Sequence, residues 1–427
     1  MVPIPQTERA YRSSKRTALR TVVNFVAIAG SIAIVLAHMV LPDVVAVSFY
    51  GVLVIGYVTS KIVLAELYRA QFARMPRRDT SNLSVDVAIA FFNEVPELIE
   101  AGIKSGLAQD GILVGRVIAV DDGSRSPETS RYLEHVFRDE PRVLVIRYES
   151  NIGKRHALGV AFEHIISPYA ALMDSDTVLE STALANLVSR MEDRTAVVTA
   201  NIRALNRDDN WLSRIIDARY RNAFMIERAA QSAMGSALCA SGVLSVYRSN
   251  FLRAVKDEWI SQRFLAKPVQ FGDDRRLTAL AMQRGRAIIA LDAVAFTMVP
   301  TDPVQFVKQQ LRWNKSFLRE SALAVRDFSV LSVPGFLSFL ELFFWFFYLS
   351  TIANLLIFNP VVGTWSIMVI WLAYVIATGL FRNLSLIVRE PRLVLLVPLY
   401  SLAHVLILTP LRLFALVTIL DTRWGTR

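Results

Sequence analysis

The fold of this chain is decided by two stretches, VDVAIAFF at residues 85–92 and RVIAVDDGS at residues 116–124. Both are β-branched, mostly apolar runs that end in polar residues, as buried parallel strands do. RVLVIRYE at 142–149 and YAALMDSD at 169–176 repeat this form, and helical stretches such as EVPELIEAGIKSG and SPETSRYLEHVF lie between the runs. This β-α-β alternation predicts an α/β domain with a doubly wound, mostly parallel sheet, whose ligands bind at the carboxyl ends of the strands.

Long apolar runs flank this region on both sides. The 427 residues are 53% hydrophobic and 20% charged, whereas soluble domains average about 45–50% and about 25%. Apolar runs at 21–41 and 44–64 predict a transmembrane hairpin, and the basic residues outside both runs predict cytoplasmic ends. A cleavable signal peptide is the alternative for the first run. We therefore expect a multi-pass protein of the cell membrane whose middle domain faces the cytosol.

The same patterns divide the chain into predicted parts. These are a basic cytosolic N-terminus at 1–20, the hairpin at 21–64, the α/β domain at 65–302, amphipathic interface helices at 303–334, transmembrane and interfacial helices at 335–420, and a C-terminal segment at 421–427. The interface helices are predicted from a helical apolar stripe with interspersed basic residues. Pro398 and Pro410 interrupt the last apolar run, so we expect a re-entrant or interfacial pair of half-helices there.

Charge and cysteine content exclude other classes of protein. The net charge of +10 is concentrated beside the apolar runs, where lipid headgroups and an anionic substrate account for it, so we expect membrane lipid and no nucleic acid as a partner. Cys239 is the only cysteine, which excludes an intrachain disulfide framework. The sequence predicts no obligatory protein partner.

Pairs of acidic residues mark the ends of the predicted strands. The pairs are Asp121 with Asp122, Asp174 with Asp176, and, before a helical stretch, Asp273 with Asp274. In an extended segment, alternation places both carboxylates of a D-x-D on one side, where they can share Mg²⁺ or Mn²⁺ with substrate phosphates. The alternative is that such residues form turns and cap helices.

Basic groups that could hold a diphosphate occur at two places. Lys154 lies in Asn151-Ile152-Gly153-Lys154-Arg155, where a glycine-assisted turn after a strand can direct backbone N–H groups and a lysine at phosphate. The stretch lacks the spacing of a P-loop, which disfavours ATPase chemistry. In QQLRW at 309–313, Arg312 could neutralise a leaving diphosphate and Trp313 could present a flat face to a sugar, although a membrane-interface anchor is the alternative for this tryptophan.

Five ordered motifs resemble those of the processive, inverting membrane glycosyltransferases that include cellulose, chitin and hyaluronan synthases. They are VDDGS (120–124), NIGKR (151–155), DSD (174–176), GDDR (272–275) and QQLRW (309–313). RYRNAFMIERAAQS (219–232), SGVLSVYR (241–248) and the terminal WGTR (424–427) resemble the short bacterial type of hyaluronan synthase more narrowly. The resemblance covers about residues 45–427 and implies a GT-A-like fold. Ala90 and Val243 depart from the family pattern, which usually has proline at both positions.

The resemblance also implies a role for each motif. Asn93, Glu94 and Asp121 would line the uracil and ribose pocket with Asp122 nearby, and Lys154 would approach the diphosphate. Asp174 and Asp176 would hold the metal, and Asp174 would also contact the substrate. Asp274, with Asp273 beside it, would be the general base, and Arg312 would steady the departing diphosphate. Trp313 and Cys239 would belong to the acceptor site, and Gln309 would also bind substrate. Trp424 and Arg427 would close over the bound nucleotide as a gate.

A hyaluronan synthase is the function that the resemblance implies. It would alternate GlcNAc and GlcA from UDP-GlcNAc and UDP-GlcA and move the growing polysaccharide across the membrane. A chitin or chitooligosaccharide synthase would use UDP-GlcNAc alone, and a lipid-linked glycosyltransferase would add a single sugar. A non-catalytic membrane receptor for nucleotide or anionic lipid is the alternative from another class.

Overall fold

A computed structural model describes residues 22–36, 43–354, 357, 365–384, 387, 390–391 and 393–421 of the chain. Through its described residues the chain divides into two compact units. One comprises Met1–Thr59 and Leu318–Phe381, and the other comprises Ser60–Phe317 and Arg382–Arg427. The α/β domain lies in the second unit.

Helices and strands alternate along most of the described chain. The helices are α1 (Val22–Leu36), α2 (Asp43–Arg74), α3 (Pro96–Leu107), α4 (Glu128–Val136), α5 (Lys154–His164), α6 (Ala183–Val188), α7 (Trp211–Asn222), α8 (Ala229–Ala233), α9 (Ser249–Ile260), α10 (Asp273–Met282), α11 (Pro303–Asp327), α12 (Val333–Ala353), α13 (Trp365–Arg382), α14 (Leu393–Ala403) and α15 (Thr409–Val417). The strands are β1 (Ser84–Phe91), β2 (Leu113–Asp121), β3 (Val143–Arg147), β4 (Tyr169–Asp174), β5 (Thr177–Leu179), β6 (Thr195–Ala204), β7 (Leu244–Arg248), β8 (Arg263–Phe264), β9 (Lys267–Pro268) and β10 (Arg286–Thr297). Single π-helical segments, Ala223–Arg228 and His404–Leu408, join α7 to α8 and α14 to α15.

The main sheet is mixed and mostly parallel, as the sequence predicts. Its strand order is β3-β2-β1-β4-β7-β6-β10-β5. β1, β2, β3 and β4 pair in parallel, whereas β7 runs antiparallel between β4 and β6. The chain runs outward from β1 to β3 and then crosses to β4 on the other side of β1. This switch point lies between β1 and β4, and in open α/β sheets ligands bind beyond the strand ends at such a point.

Both faces of β1 are covered, which explains why its sequence is apolar at nearly every position. Val87 and Ile89 pack on one side against Ile99 and Ile103 of α3. Ala88 and Ala90 face the opposite side, in the cluster that contains Leu158, Phe162 and Trp259. Successive side chains of a strand point to opposite faces, so a strand covered on both sides shows no polar alternation.

Apolar helices make the chain a membrane protein. Among the described residues, three helices are long and apolar enough to cross a bilayer: Val45–Arg74, Val333–Ala353 and Val394–Val417. Val22–Leu36 and Val369–Arg382 are shorter apolar helices. α2 continues past residue 64, where the predicted hairpin ends, because most residues of the stretch that follows, such as Ala65, Glu66 and Arg69, favour helix.

The last apolar run differs from the broken pair of half-helices that the sequence predicts. The backbone stays helical from Leu393 to Val417, with Pro398 inside α14 and a π-helical segment at His404–Leu408. Pro410 then falls in the first turn of α15, where a missing N–H donor is tolerated. The π-helical turn thus lets the chain pass a second proline without breaking the helix.

Candidate active site

Loops after β1, β2 and β4 meet at the switch point of the sheet. The Glu94 carboxylate accepts a hydrogen bond from Ser175 Oγ at 3.0 Å, which joins the loop after β1 to the loop after β4. The Asn93 backbone N–H donates to Ser124 Oγ at 2.8 Å, and Asn93 Oδ1 accepts from the Arg125 N–H at 2.9 Å. Asn93 and Glu94 therefore lie where parallel-strand ends converge.

Asp121 and Asp122 shape the neighbouring loops. Asp121 is fully buried, and its carboxylate accepts hydrogen bonds from the Ser124 N–H at 2.8 Å and from Ser130 Oγ at 2.5 Å. Asp122 accepts from the backbone N–H groups of Ile152 and Gly153, each at 3.0 Å. The turn-forming alternative thus describes part of what these two aspartates do, and Asp122 holds the loop that presents Lys154.

Gly123, which follows Asp122, cannot be replaced by a residue with a side chain without strain. Its φ of +72° lies in the left-handed region, and a Cβ atom would fall 2.2 Å from the carbonyl carbon of Ser150. The glycine of VDDGS therefore allows the loop after β2 and the loop after β3 to touch.

Lys154 joins three of the sequence motifs in one cluster. It is the first residue of α5, its Nζ forms an ion pair with Asp174, and the same atom lies 3.5 Å from Asp273 Oδ2. Burial lowers the pKa of Lys154, but the charges of Asp174 and Asp273 outweigh burial and leave the pKa above its ordinary value. A lysine that stays charged here can neutralise anionic groups at the strand ends.

The DSD motif has a different backbone from the extended segment that the sequence predicts. Asp174 ends β4, but Ser175 and Asp176 form a turn before β5, so strand alternation does not set the directions of the two carboxylates. Asp176 Oδ1 accepts a hydrogen bond from Thr297 Oγ1 at 2.9 Å. Burial raises the pKa of Tyr220, and the charges of Asp176 and Asp174 raise it further.

The GDD motif starts α10. Gly272 precedes the helix with a φ of +86°, and Asp273 and Asp274 occupy the first turn, where the helix dipole favours acidic side chains. Asp274 Oδ2 lies 3.3 Å from the Sγ of Cys239, which donates to it. Asp273 and Asp274 can thus stabilise the start of α10 and also line the cleft, because Asp273 lies near Lys154 and Asp274 contacts Cys239.

Asp273 and Asp274 have opposite pKa shifts. Burial raises the pKa of Asp274, and the adjacent charge of Asp273 raises it further. Burial acts on Asp273 as well, but the positive charges of Lys154, Arg155 and Arg312 outweigh it and lower the pKa of that carboxyl. Environments that separate the pKa values of two neighbouring acids are typical of sites where one of them exchanges protons.

The QQLRW motif lies on α11, and the positive charge of Arg312 contributes to the lowered pKa of Asp273. The ring of Trp313 lies 6.4 Å from that of Tyr220, and its side chain is 37% exposed. Gln309 Oε1 is buried and has no hydrogen-bond partner among the described residues. The motif thus places a cation, an aromatic ring and an amide beside the carboxylate cluster.

A cleft with about 320 Å³ of unfilled space, part of it open to solvent, lies inside this cluster. Its polar lining includes Lys154, Asp174, Asp273 and Asp274, and Gly242 and Trp259 also contribute. Burial raises the pKa of the Cys239 thiol to about 12, so this neighbour is a thiol rather than a nucleophilic thiolate.

Comparison with known proteins identifies the family. Residues 86–255 match the family described as Glycosyl transferase family 2. The chain is 36% identical over 387 residues to a hyaluronan synthase of Streptococcus pyogenes, which covers 89% of this chain and 91% of that one. It is 31% identical over 391 residues to an N-acetylglucosaminyltransferase of Rhizobium meliloti (strain 1021), with 90% of each chain covered.

This chain belongs to the hyaluronan synthase-like glycosyltransferases. The fold is also similar to a solved structure, the mannosyltransferase PcManGT from Pyrobaculum calidifontis in complex with GDP-Man and Mn²⁺. The alignment covers 88% of this chain and 99% of the mannosyltransferase chain, with a TM-score of 0.58. At 18% identity this likeness supports the GT-A-like fold alone. Membership of a glycosyltransferase family argues against the non-catalytic receptor.

The carboxylates of this glycosyltransferase fit a divalent cation that is bound jointly with a diphosphate. Among the described residues, no group of three or more His, Cys, Asp or Glu side chains is arranged to hold a metal. Magnesium in proteins is commonly bound through one or two carboxylates together with substrate phosphates. Asp174 and Asp176, the two carboxylates of the DSD motif, could supply oxygen ligands of this kind.

Sequence reasoning from single residues did not identify Arg219, Tyr220 or Thr297 in this glycosyltransferase. Arg219 donates to Gln310 Oε1 at 2.6 Å, Tyr220 lies beside Trp313, and Thr297 donates to Asp176. The first two stand in the RYRNAF stretch, which the family resemblance marked without a role. Trp424 and Arg427, the predicted gate, lie outside the described residues.

Proposed function

We propose that this glycosyltransferase is a processive, inverting hyaluronan synthase. It alternates GlcNAc and GlcA from UDP-GlcNAc and UDP-GlcA and moves the polymer through its membrane helices. The observation that carries the proposal is the likeness to a streptococcal hyaluronan synthase over 89% of the chain. The proposal includes the division of the chain into the parts predicted from the sequence. It also includes a multi-pass membrane topology in which the α/β domain faces the cytosol.

The nucleotide would bind beyond the ends of β1, β2 and β4. Asn93, Glu94, Asp121 and Asp122 would form or support the uracil and ribose pocket, because the loops that carry them meet at the switch point. Lys154 would approach the diphosphate from the first turn of α5, where the positive end of the helix dipole also favours an anion.

Asp174 and Asp176 would hold Mg²⁺ or Mn²⁺ together with that diphosphate. The bound cation would neutralise negative charge that builds up on the leaving UDP. Thr297 fixes Asp176 through its 2.9 Å hydrogen bond, and Lys154 pairs with Asp174, so both carboxylates are held from outside the motif.

Asp274 would be the general base. The acceptor hydroxyl loses its proton to Asp274 as its oxygen attacks the anomeric carbon, and the bond from that carbon to UDP breaks on the opposite face. The raised pKa of Asp274 supports this role, because a base works best with a pKa near the operating pH. Asp273 would keep Lys154 in place rather than accept the proton.

Arg312 would stabilise the departing diphosphate, since its charge already acts on Asp273 in the same cluster. Trp313 would carry the acceptor sugar on its indole, and Gln309 and Cys239 would contact the same sugar. Stacking on an aromatic face leaves a sugar free to advance after each addition, which suits a processive enzyme. Trp424 and Arg427 would close over bound UDP.

Donor requirement tests the proposal. Purified full-length protein receives radiolabelled UDP-GlcNAc with and without UDP-GlcA, and the products are separated by size. We expect long polymer only when both sugars are present. Long polymer from UDP-GlcNAc alone would instead support the chitin-type synthase, which the 31% identity to the Rhizobium N-acetylglucosaminyltransferase favours as the second candidate. Addition of one sugar to a lipid would reject both.

A further inference from the structure

Arg219 of α7 lies among three groups that belong to other elements. Its Nη1 donates to Gln310 Oε1 at 2.6 Å. Its guanidinium carbon lies 6.0 Å from the centre of the Trp313 ring and 5.9 Å from the centre of the Tyr400 ring. A guanidinium at these distances from an aromatic ring is attracted by its quadrupole. One side chain therefore links α7 to α11 and α14.

The next residue, Tyr220, lies beside the same indole. The Tyr220 ring is tilted by 34° against Trp313, and the charges of Asp176 and Asp174 act on its phenol. Arg219 and Tyr220, two consecutive residues of α7, thus both lie beside Trp313.

α7 is itself firmly held. Asp217, only 1% exposed, accepts from Arg203 Nε at 3.0 Å and lies 3.2 Å from Arg221 Nε. Arg221 also pairs with Glu390 in the connection between α13 and α14. Asn210 caps the start of the helix through a capping box. A side chain mounted on so constrained a helix can fix the position of its neighbours.

We propose that Arg219 is a positioning residue for the acceptor sugar, acting through the indole of Trp313. The inference rests on the proposed function, because it assumes that Trp313 carries the acceptor. The planar guanidinium combines ring contact with the hydrogen bond to Gln310, and the ammonium of lysine cannot reproduce this combination. Loss of Arg219 lets the indole turn away, so the growing chain dissociates sooner while the nucleotide site stays intact.

A double-mutant cycle in the full-length protein in lipid nanodiscs tests this. Both UDP-sugars are supplied, and product length is measured together with UDP release and the KM for each donor. For a processive enzyme, mean length is the elongation rate divided by the dissociation rate. We expect Arg219→Ala to shorten the product about fivefold and to change the donor KM values less than about twofold. Arg219→Lys is expected to give similarly short products.

The decisive comparison is Arg219→Ala in a Trp313→Ala background. If Arg219 acts through the indole, its loss shortens the product of the Trp313 variant by less than about 1.5-fold, because the coupled effects do not add. Arg214→Ala is the matched control, since Arg214 lies on the same helix with an exposed side chain and should leave product length unchanged.

Three results would overturn the inference. They are independent, multiplicative shortening in the double variant, donor KM values that rise with the loss of length, and normal length in the Arg219→Lys variant. Failure of the unaltered protein to make polymer from the two UDP-sugars would instead reject the proposed function, so the two failures are distinguishable.

Discussion

Replacement of Asp274 by asparagine should separate the chemical step from substrate binding. Asparagine has nearly the same shape as aspartate and can still receive a hydrogen bond from Cys239, which lies 3.3 Å away. It cannot accept a proton at neutral pH. The substitution therefore removes the proposed base and little else from the first turn of α10.

The expected loss follows from the role of the carboxylate. A positioned general base contributes about 10²–10⁴-fold to a rate, so kcat should fall by that factor. UDP affinity should change by less than about twofold, because the diphosphate contacts are assigned to Lys154 and Arg312 and an interaction made only in the transition state leaves ground-state binding alone. Asp273→Asn is the contrasting variant: it removes a partner of Lys154 and should weaken UDP-sugar binding more than it lowers kcat.

The pH dependence of kcat/KM tests the same assignment of Asp274. The base acts when ionised, and activity is lost as pH falls through its pKa. Because burial and Asp273 raise the pKa of Asp274, the acid limb of kcat/KM should lie above the ordinary aspartate value of about 3.9. The contact with Cys239 lowers this pKa, so Cys239→Ala should move the limb to still higher pH.

Initial rates of UDP release over a pH series, together with calorimetric UDP binding, measure all of these quantities. The reasoning would be refuted if Asp274→Asn kept more than about a tenth of the kcat. An acid limb that moved to lower pH in Cys239→Ala would contradict the electrostatic part.

Two further substitutions test the cluster and its scaffold. Lys154→Met should raise the KM for both UDP-sugars at least about tenfold, because the diphosphate loses a cation and the charges of Asp174 and Asp273 are no longer neutralised. Lys256→Met, which removes an exposed ion pair with Glu163, is the control. Equal KM values in the two variants would disprove the assignment. Gly123→Ala should lower the melting temperature in detergent, since the strained φ and the 2.2 Å approach to Ser150 cost about 1–3 kcal/mol. Gly56→Ala, where a Cβ meets nothing within 4 Å, should melt normally, and an unchanged melting temperature for Gly123→Ala would count against the loop geometry.

The sequence predicts β1, β2 and β4 well because these strands are largely buried on both faces. The run at 85–92 became β1, Ser84–Phe91, and the run at 116–124 contains the end of β2 at Asp121. The antiparallel insertion of β7 between β4 and β6 was not predicted, because hydrophobic patterning identifies strands but not their partners.

The sequence predicts the part of the candidate site that lies at the carboxyl ends of parallel strands. Lys154 and Asp174 meet because the carboxyl ends of β3 and β4 share one edge of the sheet. Asp273 starts α10, which follows the separate β8–β9 pair, so its place beside Lys154 depends on tertiary packing. The turn at Asp176 was not predictable from the D-x-D spacing, which fits a strand and a turn equally well. Arg219 was missed for another reason: the face of α7 that meets Trp313 depends on tertiary packing, and no local pattern records it.

Calorimetric titration of UDP into the full-length protein, with and without Mn²⁺, tests most directly whether these motifs form one nucleotide site. We expect measurable UDP binding only with Mn²⁺, and a loss of affinity of at least about tenfold in Asp174→Asn. Asp193→Asn, which changes an exposed carboxylate, should bind UDP normally. UDP binding that is independent of Mn²⁺ and unchanged in Asp174→Asn would contradict the account.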